Sequence, residues 1–451
     1  MHDRTTVLLH DRTSAPPKAG ALTAQHPAPA PWTGQWVTDR LGIGLTGSPE
    51  LRELIGLALR RNPRRAHLLV SHVLGKHVPQ LPAVVHGAGL ELGRRVAELL
   101  GPEDAARAVV LGYAETATAL GHSVADGLDA PYLHSTRRPV DGVEPVGGFE
   151  EEHSHATSHL LLPEDPALLA GDGPLVLVDD EFSTGNTVLN TVRALHAAHP
   201  RDRYVVVALV DLRTEADRER LDKAAAELGA RVDLVATAVG GVRLPADVLA
   251  RAQEIVDAQP AAAPLPDGPL APVHRAALDW PADLPDGGRH GFTADHRRRL
   301  DTALPGLAAP LAELLADRRR ILVLGFEELM YAPLRLAGAL ADRLGGDRVR
   351  FSTTTRSPVL AVDDPGYAIR TRLAFPAHDD PADRSTERYA YNVAPGSDPD
   401  RRFDAVVLVV DTPADTAALH EGEDALLRQL RAVTDQVVLA VLPAYRPGSP
   451  R

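Results

Sequence analysis

Short runs of consecutive apolar residues alternate along this chain with stretches whose apolar positions recur every three to four residues. LRELIGLALRRN (51–62) reads as an amphipathic helix and AHLLVSHVLG (66–75) as a strand. LELGRRVAELL (90–100) predicts a helix, ARAVVLGYA (106–114) a strand and turn, ETATALGHSVADGL (115–128) a helix, and APYLHST (130–136) a strand. After an irregular polar stretch come PLVLVDD (174–180), a helix opening at Thr187, and the strands YVVVALVDL (204–212) and ARVDLVATAV (230–239). Strands that are apolar on both faces and separated by helices argue for an α/β fold with a parallel sheet covered on both sides.

From about residue 289 the alternation restarts. RRRILVLGFEELMYAPLRLAGALADRL (318–344) is strand, turn, helix; VRFSTTTRSPV (349–359) is a strand running into Arg356; FDAVVLVVDTP (403–413) is a buried strand ending at Asp411. The order repeats that of the first half: VVLGYAE faces LVLGFEE, HSTRRPV faces TTTRSPV, and LVLVDDEFSTG faces VVLVVDTPADT. Two readings follow, a degenerate second copy of one sheet or an unrelated α/β domain. Different strand orders in the two halves would exclude the first. Residues 1–35 are rich in Ala, Pro and Thr and read as a disordered tail. The Pro- and Gly-dense stretch 258–288 reads as a linker between a domain at 36–257 and another at 289–451.

Composition narrows the function classes. The 451 residues are 44% apolar and 24% charged, as in ordinary globular proteins, and allow two or three cores. With 48 basic and 61 acidic residues the net charge is −13, which disfavours nonspecific nucleic-acid binding. There is no cysteine, so disulfides, thiolate metal sites and cysteine nucleophiles are excluded. No run approaches the ~20 apolar residues of a membrane span, and the N-terminus lacks a signal-peptide pattern. The expectation is a cytoplasmic protein with neither membrane nor nucleic-acid partners.

The candidate chemistry lies at the end of one strand. Leu175–Val178 run into Asp179 and Asp180, and then into Ser183, Thr184, Gly185, Asn186 and Thr187, which open a helix. Unpaired amides and the positive dipole end suit a phosphate there. Carboxylates would repel that phosphate, so they must serve something else, such as a ribose diol or a magnesium ion bridging to it. A helix cap without a ligand is the plain alternative.

VLVDDEFSTGNT resembles the phosphoribosyl-pyrophosphate motif of type I phosphoribosyltransferases, with Glu181 and Phe182 standing where that family usually has aliphatic residues. The resemblance implies that Asp179 and Asp180 hold the diol and magnesium, and that residues 183–187 hold the 5′-phosphate. It also implies that the first turn, Gly112, Tyr113, Ala114, Glu115 and Thr116, binds pyrophosphate through backbone amides with an unusual peptide geometry. Arg137 and Arg138, with forks suited to pyrophosphate oxygens, would stabilise the leaving group; a solvated arginine pair is the alternative. The glycine- and acid-rich stretch before the motif matches the family's closing loop. Its His153, His155 and His159 could contact substrate, bind a transition metal or lie on the surface.

A finer similarity rests on NPRRAHLLVSHVLGKHVP (62–79), EEHSHATSH (151–159) and TRSP (355–358). These resemble the orotate-phosphoribosyltransferase-like proteins of bacterial tellurium-resistance and stress gene clusters, which carry a C-terminal TRSP domain. It implies that Lys76 and His77 sit in a hood over the acceptor base, and that the substrates are phosphoribosyl pyrophosphate and a base-like small molecule. Room is left for a homodimer and for partners among neighbouring stress-cluster products. A binding module that senses the sugar diphosphate without turnover is the alternative to an enzyme.

Overall fold

The computed structural model describes residues 31–61, 65–140, 142–149, 159–259, 265–266, 268–379 and 386–448. Its first half holds β1 (Gly44–Gly47), β2 (Ile55–Leu59), β3 (His67–Ser71), β4 (Val109–Gly112), β5 (Tyr132–His134), β6 (Gly147–Phe149) and β7 (His159–Leu161). These are followed by β8 (Leu175–Val178), β9 (Glu181–Phe182), β10 (Arg203–Asp211) and β11 (Arg231–Arg243). The main sheet runs β1-β11-β10-β8-β4-β5, with β9 continuing beside β10. Its pairings are parallel except at the β1 edge. All four residues of β4 and of β8 are buried, as uninterrupted apolar runs require in a sheet covered on both faces.

The second half contains β12 (Val273–Ala276), β13 (Ile321–Gly325), β14 (Val349–Thr353), β15 (Arg372–Pro376), β16 (Glu387–Tyr391), β17 (Ala405–Asp411) and β18 (Gln436–Leu442). They form a parallel sheet in the order β12-β18-β17-β13-β14 and an antiparallel hairpin, β15–β16. The run β18-β17-β13-β14 repeats β10-β8-β4-β5, and in each half an antiparallel hairpin (β6–β7, β15–β16) falls between the second and third strands of that shared run in chain order. The strand orders agree, as duplication demands.

The agreement reaches single hydrogen bonds. Ser135 N donates to Gly112 O at 3.0 Å, as Thr354 N does to Gly325 O at 3.2 Å. Ser135 Oγ accepts from Ala114 N at 3.0 Å, and Thr354 Oγ1 accepts from Glu327 N at 3.1 Å. Thr136 exchanges backbone bonds with Leu160 as Thr355 does with Tyr389. Arg137 and Arg356, one residue further on, are therefore counterparts.

The halves pack about a pseudo-twofold axis. Tyr132, on the edge strand β5, exchanges two backbone bonds with Phe292, just before helix Ala294–Leu314. Phe351, its counterpart on β14, exchanges two with Gln80, just before helix Pro82–Ala105. Each half thus covers the open sheet edge of the other.

Several expectations are corrected. Residues 51–62 are a helical turn, Leu51–Leu54, followed by strand β2, whose five residues are all buried. A short apolar run carries no period that separates helix from strand, and pairing with β3 on one side and with residues 358–360 on the other decides it. The stretch 258–288 is not merely a linker, since β12 within it completes the second sheet beside β18. Pro-rich composition hides a strand that an open sheet edge can recruit. The tail assignment 1–35 overlaps the fold, because Trp32 Nε1 donates to Ile55 O at 2.8 Å; residues 1–30 lie outside the described residues. Nor are the halves separate cores, since Trp36, Leu57, Tyr367, Ile369 and Tyr391 belong to one buried cluster. Among the described residues no helix is long and apolar enough to cross a membrane.

Candidate active site

Three loops leave the carboxyl ends of three adjacent parallel strands. In the sheet Gly112 lies opposite Val178 on one side and His134 on the other, so the turns after β4, β5 and β8 emerge side by side. In open α/β sheets this is where ligands bind.

The loop after β8 starts with Asp179 and Asp180, both half-buried, with Asp180 N donating to Asp179 Oδ1 at 2.9 Å. Burial, and then the adjacent Asp180, push the Asp179 carboxyl well above the ordinary carboxylate range. Helix Asn186–Ala198 opens next, capped by Gly185 at φ +81°, a left-handed conformation that glycine adopts without cost. A Cβ there would also press on the Phe182 ring at 3.2 Å. Arg220 Nη2 holds Thr184 O at 2.9 Å from outside. Ser183, Thr184, Asn186 and Thr187 are all half-buried around this helix start.

The two residues that depart from the family pattern have physical roles. Phe182 is buried, in a strand pair with Asp211, and the Arg213 guanidinium lies 4.3 Å from its ring centroid. Glu181 is raised to about 7 by burial and then by Asp180, against the pull of Arg60 and Arg65 from the β2–β3 hairpin. Arg60 and Arg65 of that hairpin thus lie near enough to Glu181 to attract its carboxylate. Because the native value lies above the unfolded one, the stabilising contribution of Glu181 is full below about 4.5 and is lost as pH rises through about 7. Glu181→Gln is therefore expected to be more stable than wild type by about 2 kcal/mol at pH 8 and equal to it near pH 4, as read by denaturant melts. Equal midpoints at pH 8 would exclude a buried acid at this position.

The first turn holds a cis peptide between Ala114 and Glu115, the unusual geometry the resemblance implies. Lys76, expected over the acceptor base, goes elsewhere: its Nζ donates to Thr116 Oγ1 at 2.7 Å and lies 3.3 Å from Glu115 Oε1. His77 is buried against Tyr391, with a ring separation of 5.6 Å, and burial first and Lys76 second hold it well below the usual histidine range. Both residues follow β3 into a segment that the second half covers, so Lys76 can extend only toward the first turn.

After β5, Arg137 N donates to Glu328 at 3.1 Å, and its guanidinium lies 3.4 Å from His159 Nε2. Arg138 turns across the interface, donating to Asp411 at 3.1 Å. His159 is not on a helix but in β7, buried, with Nδ1 2.8 Å from Ser135 Oγ and its ring stacked on Phe149. A transition-metal site built on His155 and His159 would need both on one helical face, and His159 lies in a strand; His153 and His155 lie outside the described residues. No group of three or more candidate metal ligands occurs among the described residues.

Sequence reasoning missed the residues that the second half brings to these loops. Arg289, Glu327, Glu328, Arg356, Asp379 and Asp411 line, together with Arg138, a cavity between the halves beside the Arg137–Arg138 loop. The TRSP tag marked Arg356 but carried no information on what it faces.

Residues 54–241 match the family model described as phosphoribosyl transferase, and residues 286–430 match the one described as the TRSP domain C-terminal to it. No curated protein matches the chain. Among solved structures it is similar to adenine phosphoribosyl transferase from Trypanosoma brucei, at 16% identity over 42% of this chain and 76% of that one (TM-score 0.30). The enzyme from Giardia lamblia matches at 18% identity, covering 42% and 95% (TM-score 0.30). That from Thermoanaerobacter pseudethanolicus matches at 15%, covering 42% and 97% (TM-score 0.30). The chain is thus similar over residues 54–241 to the phosphoribosyl transferase family and over residues 286–430 to the TRSP domain described as C-terminal to it.

Proposed function

We propose that the protein transfers a phosphoribosyl group from magnesium phosphoribosyl pyrophosphate to a nitrogen of a base-like acceptor, releasing pyrophosphate. The observation that carries this reading is the side-by-side emergence of the acid pair with its glycine-capped helix, the cis-peptide turn and the Arg137 loop from strands β8, β4 and β5. The amides of 184–187 would hold the 5′-phosphate, Asp179 and Asp180 the ribose diol, and the first turn with Arg137 the pyrophosphate, Arg138 adding positive charge nearby.

An adjacent carboxylate pair, one member pushed well above the ordinary range by burial and then by its neighbour, suits a hard divalent cation that arrives with its phosphates, relieves the repulsion and keeps part of its water shell. Magnesium, when bound there, would neutralise charge on the leaving pyrophosphate. The chain's own groups do the rest. Positive charge grows on the ribose ring as its C1–O bond breaks, and the two carboxylates stand where they stabilise it. Negative charge grows on the leaving group, where preorganised amides and Arg137 receive it. The hood would exclude water, which would otherwise intercept the ring; of the segment matched to the family's closing loop, residues 150–158 lie outside the described residues.

The resemblance to orotate-like proteins of stress gene clusters points to a pyrimidine-like acceptor in a nucleotide-like biosynthetic pathway. A second reading is a sensor that binds the sugar diphosphate without turnover, favoured by the crossing of so many site residues to a second domain. Incubation with magnesium, phosphoribosyl pyrophosphate and a panel of pyrimidines, purines and related heterocycles is expected to release pyrophosphate with one of them. Magnesium-dependent binding without pyrophosphate from any acceptor would favour the sensor, and no binding at all would remove both readings.

A further inference from the structure

The pseudo-twofold packing has a chemical consequence at the two first turns. Glu328, third after Gly325, is the counterpart of Glu115, third after Gly112. Glu328 crosses to the first half, accepting from Thr136 Oγ1 at 2.8 Å and from Arg137 N at 3.1 Å. Reciprocally, Arg356, the counterpart of Arg137, crosses to Glu115 at 3.9 Å. The loops that would bind pyrophosphate in each repeat therefore face the other repeat.

The second repeat cannot hold a ribose phosphate of its own in the same way. Where the first has Gly185 capping a 13-residue helix, the second has the short turn Thr412–Ala414. Its remaining acid, Asp411, is occupied, accepting from Ala414 N at 3.2 Å and from Arg138 at 3.1 Å. What the second repeat retains is its arginine loop. Arg356 Nε donates to Glu327 at 2.6 Å, while among the described residues Nη1 and Nη2 make no hydrogen bond, and the side chain is 31% exposed. Glu327 is also paired with the buried Arg388. Glu115, which alone would repel an anion from the first turn, is flanked by Lys76 on one side and Arg356 on the other.

Resting on the transferase reading, we propose that the C-terminal repeat serves as a built-in second subunit and that Arg356 is a pyrophosphate-binding residue of the first repeat's site. One edge of a guanidinium is fixed by Glu327, and the two terminal nitrogens remain to fork onto phosphoryl oxygens. The TRSP tag would then mark a residue that acts in the site of the other repeat.

Equilibrium titration of the full chain with three probes tests this: phosphoribosyl pyrophosphate with magnesium, pyrophosphate with magnesium, and ribose 5-phosphate. Arg356→Ala is expected to weaken the first two at least tenfold and to leave ribose 5-phosphate within twofold, with Arg356→Lys between. Arg356→Met leaves Glu327 paired with Arg388 and should show the same selective loss, with unchanged binding of ribose 5-phosphate as the check on the fold. Unchanged pyrophosphate affinity, or an equal loss for all three probes, overturns the assignment. A wild-type protein that binds none of the three overturns the transferase reading itself, and this assignment with it.

Discussion

Changing both acids, Asp179→Asn with Asp180→Asn, is expected to lower pyrophosphate release by at least about a thousandfold, since removing even one preorganised group from a developing charge costs roughly a hundred- to a thousandfold. The fold should survive and its melting temperature should rise. The reason is electrostatic: burial and the neighbouring carboxylate raise Asp179 well above its ordinary range, so the pair is held together against repulsion in the empty site. The amide at 179 can still accept from the backbone N–H of residue 180, so the local turn keeps its bond. A site that costs stability when empty and works when filled is the familiar opposition between activity and stability. The wild-type protein should also release protons on binding magnesium phosphoribosyl pyrophosphate, seen as a binding heat that varies with the ionisation enthalpy of the buffer. Wild-type turnover in the double variant would take these acids out of the site.

Glu328→Gln is expected to destabilise the whole chain by about 3 kcal/mol at pH 7, with both halves melting together. The Glu328 carboxylate is held down to about 2, chiefly by Arg289 and then by His134 and the bonds from Thr136 and Arg137, against the cost of burial. Arg289 lies 3.2 Å away and is itself nearly buried, so neutralising its partner strands a charge in the interface. A carboxyl depressed on folding stabilises above its unfolded value of about 4.5, and the contribution is lost as pH falls toward 2. The difference between variant and wild type should therefore be full at neutral pH and shrink through acid. Urea melts across that range measure it; a constant difference, or none, would show that the carboxylate does not hold the halves together. Because Glu328 also holds the backbone of Arg137, a weaker pyrophosphate affinity should accompany the loss of stability.

The C-terminal half thus has two tasks in one sequence. It covers the β5 edge and the outer side of β2 in the first half, and it brings charged groups to a cavity between the halves. Arg61 N donates to Pro358 O at 3.2 Å, so the TRSP segment is paired to the chain just after β2.

The sequence alone determined the local and the periodic. Four consecutive apolar residues before Asp179, between a Gly-Pro turn and two acids, already read as a strand covered on both faces, and they form β8. Gly185 and the hydroxyls around it specify a helix start able to take an anion. The matching order of VVLGYAE and LVLGFEE, of HSTRRPV and TTTRSPV, already contained the duplication. Tertiary structure decided the rest. Residues 55–59 became a strand because two neighbours offered it hydrogen bonds, and 273–276 became one because β18 had an open edge. Lys76 reached the first turn because the second half covers the segment after β3, and Arg138 and Arg356 crossed between halves because the pseudo-twofold packing places residues more than two hundred positions apart within ion-pair distance. Local propensity and hydrophobic period record what each segment prefers for itself; which charge meets which across a packed interface depends on an arrangement that neither of them encodes.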